Sequence, residues 1–552
     1  MNEFLHVLSI IGSAVFMIFF FGLCIFVHEL GHFLAAKWRG LKVTAFSIGF
    51  RKIWGKTWNG VEYRIGWFPF GGYVEIPQVD GDGKKEGDEE IPPAKPFDRM
   101  ITVVAGPLFN FIFGFLVAAV IWIVGIPQDT PNLTEIEVAV IKTTSPEYQA
   151  GLRRGDVITK INGNGFNTSW NGFFKEVLTT VGPVTLTVKR DGKSFDISYL
   201  PAVNRNVLPD EEIAYPFFLP KIPILIYPDK DSPAAKAGLK DGDKVLSVNG
   251  EIPVSIAEYE EMIDQSKGKP ITLRIERGGT EMELKDIAPV PMYLNGADGI
   301  WRAGVTYNPH GEELTVIEVT ADSAASRAGL KKGDIIQTIN GTKPVPAEFP
   351  KWIQESKGSA LKLQVKRGET ALALELTPDY HRFYTLGVQY AYIAHPTPWE
   401  QFTSAMSLTF KSMRAIGYSI GNTIGLTEQK TTVKAKHMSG PLGIGRILYR
   451  SVYEGSLVQG LNIVVLITFS LGLLNLMPFP VLDGGHFVLA ILEIIFRRPI
   501  PEKFLAPISY AFIAVIVGFM IFVTFYDAKR VIGDFMPQKP PVSQQAPANP
   551  GK

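Results

Sequence analysis

The chain has 552 residues, and 55 Lys and Arg stand against 54 Asp and Glu, so the net charge is +1 and nothing in it suggests nucleic acid as a partner. Hydrophobic residues make up 46% and the mean hydropathy is +0.12, which is high for a soluble protein and low for a bundle of membrane helices alone. The single cysteine, Cys24, excludes internal disulfides and cysteine-based zinc sites.

Residues 1–37 hold a first apolar run, long enough to cross a bilayer from about Leu5 to Ala36. No Lys or Arg precedes Lys37, and Arg39, Lys42, Arg51, Lys52 and Lys56 follow it. That asymmetry places the N-terminus outside and the next loop in the cytoplasm. The missing basic start and cleavage site argue for a span over a signal peptide. Near its inner end the run reads Val27-His28-Glu29-Leu30-Gly31-His32. Residues four apart share a helix face, so His28 and His32 can hold one metal ion. Two imidazoles and a neighbouring carboxylate suit zinc, with Glu29 as general base. A charge in hydrocarbon costs about 2.5–3.5 kcal/mol even on the lenient insertion scale, so the cluster reads as functional.

Residues 38–99 are expected to form a hairpin and a charged linker. Val61-Glu62-Tyr63-Arg64-Ile65 alternates, and Trp58-Asn59-Gly60 supplies a turn. The apolar stretches around Gly49 and around Pro69, Gly71 and Gly72 are broken by glycine and proline, which fits a hairpin dipping toward the site or resting on the membrane surface. Residues 80–95 are the charged linker. The second span, 100–126, carries Asn110, a polar side chain suited to a contact between helices.

Between spans two and three the sequence repeats. Ala150-Gly151-Leu152-Arg153-Arg154-Gly155-Asp156 recurs at Ala237–Asp243 and Ala328–Asp334, and each Gly-Leu is followed eleven residues on by Asn-Gly, at Asn162, Asn249 and Asn340. Fixed spacing in three copies marks a repeat array, with domains expected at 130–203, 215–292 and 300–380. Residues 396–455 are expected to hold an amphipathic helix on the outer leaflet and a connector. Lys434, Lys436, Arg446 and Arg450 oppose an outside location there, and the four-span arrangement overrides them.

The third span, 456–490, ends Asn475-Leu476-Met477-Pro478-Phe479-Pro480-Val481-Leu482-Asp483-Gly484-Gly485. The prolines must break the helix. Asp483 then lies at the inner end of its span, at the depth of His28 and His32, and becomes the expected third zinc ligand. A fourth span covers 504–527, and the Pro-rich tail 536–552 is expected to be disordered.

His28-Glu29-Leu30-Gly31-His32 in a first span and Asn475-x-x-Pro478-x-Pro480-x-Leu482-Asp483-Gly484 in a third resemble the site-2 protease family. Phe46-Ser47-Ile48-Gly49-Phe50, Gly71-Gly72-Tyr73-Val74, Ala105-Gly106-Pro107 and Ser439-Gly440-Pro441 match the same pattern, and the repeats resemble bacterial PDZ domains. The resemblance implies a core of four transmembrane helices with a re-entrant β-hairpin, plus three tandem α+β PDZ-like domains between spans two and three. It implies one zinc per chain on His28, His32 and Asp483, with Glu29 as base. Substrate contacts are implied at Asn475, Ser470, Gly49, Gly71 and Gly72, although the family often has Asn where this chain has Ser470. Two PDZ copies are usual there, so a third is a departure. The implied function is zinc-dependent cleavage of single-span membrane proteins, such as an anti-sigma factor already trimmed by another protease. PDZ grooves would take peptide C-termini. The implied location is a bacterial inner membrane, with both termini and the PDZ domains outside. Two other readings fit the same residues: a peptidase for signal peptides or pheromones, and a non-catalytic PDZ scaffold gaining avidity from its copies.

Overall fold

The computed structural model describes residues 2–79, 85–86, 89–90, 92–128, 130–204, 213–253, 255–292, 299–307, 313–390, 392–498, 500 and 502–535. Half of the expected linker at 80–95 and all of the tail 536–552 lie outside the described residues. The chain divides into two compact units: the residues up to Leu219 together with those from Tyr392 on, and Pro220–Ala391.

In the first unit the core helices are α1 (Asn2–Trp38), α2 (Pro96–Val124), α3 (Pro398–Thr423), α4 (Pro441–Arg450), α5 (Leu457–Asn475), α6 (Asp483–Phe496) and α7 (Glu502–Phe535). Four of them, α1, α2, α5 and α7, are long and apolar enough to cross a membrane. α2 is the central rail and packs against α1, α5 and α6. Gly31 makes the α1–α2 approach possible, since a Cβ there would lie 2.3 Å from the carbonyl oxygen of Ala105.

Strands β1 (Ala45–Trp58) and β2 (Val61–Glu75) form the hairpin between α1 and α2. The register is folded back on itself. Residues 45–48 lie between 62–65 on one side and 72–75 on the other, while 54–58 pair with 61–65 across the turn. Segment 72–75 is thereby set beside α1.

α3 packs part of its apolar side on the bundle, while Trp399, Phe410 and Ile420 stay exposed. The Phe402 ring meets Phe111 and Phe469 edge-on at 5.8 and 5.1 Å and Phe115 at a tilt at 5.3 Å. Gln401 Nε2 donates to the Ala118 carbonyl at 2.9 Å.

Each repeat is a five-stranded sheet with a helix. The repeated Asp is the structural pivot. Asp156, Asp243 and Asp334 are at most 1% exposed and each accepts the backbone N–H three residues before it. Each also pairs with the arginine that ends a later strand, Arg190, Arg277 and Arg367, and that arginine reaches the carbonyl of Gly151, Gly238 or Gly329. Asn162, Asn249 and Asn340 adopt φ near +50°, and their side chains accept the N–H of Thr185, Thr272 and Lys362. Asn tolerates that left-handed turn, which explains the motif.

The expected tandem boundaries are corrected in two places. Strand Phe218–Pro220 pairs with Ile136–Ile141, so residues assigned to the start of the second repeat complete the first. The second repeat is likewise finished from a distance. Its sheet runs Thr280–Ile287, Ile271–Arg277, Asp243–Val248, Ile224–Pro228 and then Val388–Gln389, and Leu386 is buried in its core. The third repeat, with strands from Val305 to Leu376, is inserted inside the second. A two-stranded neck joins them, pairing Val290 with Thr385 and Gly299 with Arg382. The repeat motif marks the shared turn of each copy but not the strand that closes its sheet, which carries no such motif. Excising 292–383 and joining Pro291 to Tyr384 by a short turn is therefore expected to leave the second repeat folded, because those two residues already face each other. Stopping the domain at 292 removes an edge strand and Leu386, and hydrogen exchange across 224–287 should then lose its protection.

Candidate active site

α1 places His28 and His32 on one face, with ring centroids 4.7 Å apart. Past Asn475 the chain turns through Leu476–Leu482 and restarts as α6 with Asp483 as its first residue. Prolines 478 and 480 stop α5 as expected, and the freed backbone is satisfied locally by Phe479 N to Met477 O and Leu482 N to Phe479 O. The turn is tight enough to need glycine: a Cβ on Gly484 would lie 2.2 Å from the Leu476 oxygen, and one on Gly485 2.0 Å from the Phe479 oxygen.

This brings three remote groups together. His28 Nε2 lies 3.2 Å from Asp483 Oδ2, His32 Nε2 lies 3.5 Å from the same oxygen, and the two Nε2 atoms are 3.2 Å apart. A tetrahedral zinc with bonds of about 2.05 Å has ligand–ligand edges of about 3.3 Å, so the triangle has the size such an ion needs. Its protonation also fits. His32 Nδ1 donates to the Thr102 carbonyl at 2.8 Å, which leaves a lone pair on Nε2. Asn110 lies 3.1 Å from His28 Nδ1, and its Oδ1 is buried without a partner. Turning that amide over lets Oδ1 accept Nδ1–H, leaving the Nε2 lone pair of His28 for the cluster. Asp483 Oδ2 is itself buried and lacks a hydrogen-bond donor. Three lone-pair atoms facing each other without a proton between them repel unless a cation sits among them. The donor set fits zinc.

Glu29 is 9% exposed and lies against the β2 segment around Gly72. A Cβ on Gly72 would lie 3.0 Å from Glu29 Cγ, so only glycine lets the hairpin come this close. Of the other residues expected at the site, Asn475 is present, with Nδ2 3.3 Å from His28 Nε2. Ser470 is not directed there: its hydroxyl bonds Thr409 on α3 at 2.9 Å. Gly49 sits at a left-handed position, φ +84°, where β1 changes partners, and Gly71 makes room for the ring of Phe50. Both shape the hairpin.

Sequence reasoning gave Thr102 no role and left Gly106 without one. A Cβ on Gly106 would lie 2.3 Å from His32 Nε2 and 2.9 Å from His28 Cε1. A small residue inside an apolar helix was the available signal.

Comparison with known proteins gives the family. The pattern of peptidase family M50 matches residues 16–519. A Chlamydia trachomatis protein, provisionally described as a zinc metalloprotease, is 25% identical over 626 residues, covering 92% of this chain and 97% of its own. The regulator of sigma-E protease RseP of Salmonella typhimurium is 26% identical over 528 residues, covering 90% and 94%. A solved PDZ domain of HtrA3, bound to a phage-derived ligand, aligns with 15% of this chain and 88% of its own at 26% identity and a TM-score of 0.14. A family match whose bounds, 16 and 519, enclose both the paired histidines and the Asp483 turn means that this chain belongs to peptidase family M50 and is a zinc metalloprotease.

Proposed function

We propose that the protein is an intramembrane endopeptidase that cuts single-span membrane proteins, with one zinc per chain on His28, His32 and Asp483 and Glu29 as general base. The observation that carries this reading is the triangle of 3.2, 3.2 and 3.5 Å formed by two imidazoles and a carboxylate from helices more than 400 residues apart in sequence. A zinc ion held there supplies Lewis-acid chemistry and a lowered water pKa. The rest is done by this chain. Glu29 takes the proton of the attacking water and returns it to the leaving amine. Asn475 offers an amide N–H donor at the edge of the triangle. Helices α1 and α2 exclude bulk solvent from the imidazoles, which strengthens every polar contact inside.

A substrate helix hides its carbonyls and must unwind first. Segment 72–75 lies beside Glu29 at the edge of the hairpin, and an unwound substrate paired along it is held as a strand near the base. The hairpin acts here as the re-entrant element. The PDZ-like repeats act outside the membrane, where they pass substrates already trimmed of their exported part. Such substrates include a single-span anti-sigma factor, by analogy with the relative that regulates sigma-E. The membrane is the inner membrane, with both termini and the repeats on its outer side.

The direct test is zinc content. The purified protein should carry one zinc per chain, and His32→Ala or Asp483→Ala should leave near none while the protein still elutes as a folded species. Full zinc retention by both variants would overturn the assignment.

A further inference from the structure

Two adjacent residues of α2 reach opposite ways. Arg39, just past the end of α1, donates its Nε to Asp98 Oδ1 at 2.7 Å. Arg99, 7% exposed, pairs with Glu493 on the third turn of α6. So the first turn of α2 grips the helix that carries His28 and His32 on one side, and the helix that begins with Asp483 on the other. The same α2 also orients both imidazoles, through Thr102 and Asn110.

A buried ion pair adds little net stability over an apolar pair of the same size, because both charges lose water. Its best-attested use is to fix register. Register matters here. A helix displaced by one residue moves by about 1.5 Å and turns by about 100°. For α6 that shift would carry Asp483 off the triangle, whose sides are only 3.2–3.5 Å. A slide of α6 against α2 would separate Arg99 from Glu493 and leave two buried charges unpaired, which is strongly destabilising.

We infer that the Arg99–Glu493 pair is a register lock that holds Asp483 against the two histidines, so that Arg99 and Glu493 are positioning residues of the metal centre although neither touches the metal ligands. The inference rests on the reading of His28, His32 and Asp483 as zinc ligands. The test measures zinc release to a chelator from the purified full-length protein, alongside its thermal midpoint with zinc in excess. Glu493→Gln and Arg99→Gln should release zinc about tenfold faster than the parent, the lower end of what supporting residues of metal sites contribute. The exchanged pair Arg99→Glu/Glu493→Arg should return the rate to within about twofold, while the apolar pair Arg99→Met/Glu493→Met should not, even with an unchanged midpoint. Parent-like release from both Gln variants, or from the Met pair, would show that the ion pair only packs α6. Asp483→Ala, run in parallel, separates the two claims: if it keeps its zinc, the ligand assignment itself is wrong.

Discussion

Glu29→Gln is expected to abolish cleavage of a membrane-embedded reporter while the protein keeps its zinc. A positioned general base contributes about 10²–10⁴-fold, and here the same group also returns the proton, so a loss near the upper end is expected in kcat. The amide preserves the shape of the side chain, so the close approach of Gly72 to it, and with it the docked hairpin, should persist. Zinc retention separates this variant from the ligand variants, because Glu29 is not a corner of the triangle. Turnover at the parent rate would remove Glu29 from the chemistry. A trapped, uncut substrate on this variant would in addition identify what the enzyme takes, which distinguishes an anti-sigma factor from a leftover signal peptide or a pheromone precursor.

The second large effect is expected at a residue with no functional group. Gly106→Ala adds one methyl, 2.3 Å from His32 Nε2 and 2.9 Å from His28 Cε1. Those distances are too short for any contact, so either α2 withdraws or His32 rotates away. Withdrawal breaks the bond from His32 Nδ1 to the Thr102 carbonyl, and rotation opens the 3.2 Å approach of the two Nε2 atoms. Either response should weaken zinc binding by about a hundredfold, the upper end for residues that support a metal site. Activity should fall in parallel and return in part when zinc is added in excess. Gly518→Ala in α7, where a new Cβ meets nothing within 4 Å, is the control and should bind zinc as the parent does. Parent-like zinc affinity in Gly106→Ala would mean that the helices have more room than the structure gives them.

Much of the design is local and therefore legible. Helical spacing puts His28 and His32 on one face whatever surrounds them. Length and apolarity mark α1, α2, α5 and α7, because a bilayer demands little else of a span. Pro478 and Pro480 end α5 because neither has an N–H to give and their rings clash with the preceding turn. The repeat motif is legible for the same reason: Asp156, Asp243 and Asp334 serve a turn built from their own neighbours.

What tertiary structure alone decided depends on partners remote in the chain. Ser470 lies five residues before Asn475 on one helix, about 140° round it, and tertiary structure supplies its partner, Thr409 on α3. Sequence spacing cannot tell which strand closes a sheet, so neither the place of Val388–Gln389 in the second repeat nor the insertion of the third is visible in it. The same holds for Gly106, Thr102 and the Arg99–Glu493 pair. Each matters through what α2 lies against, and close approach between helices is a property of three-dimensional packing that no periodicity in a single sequence records.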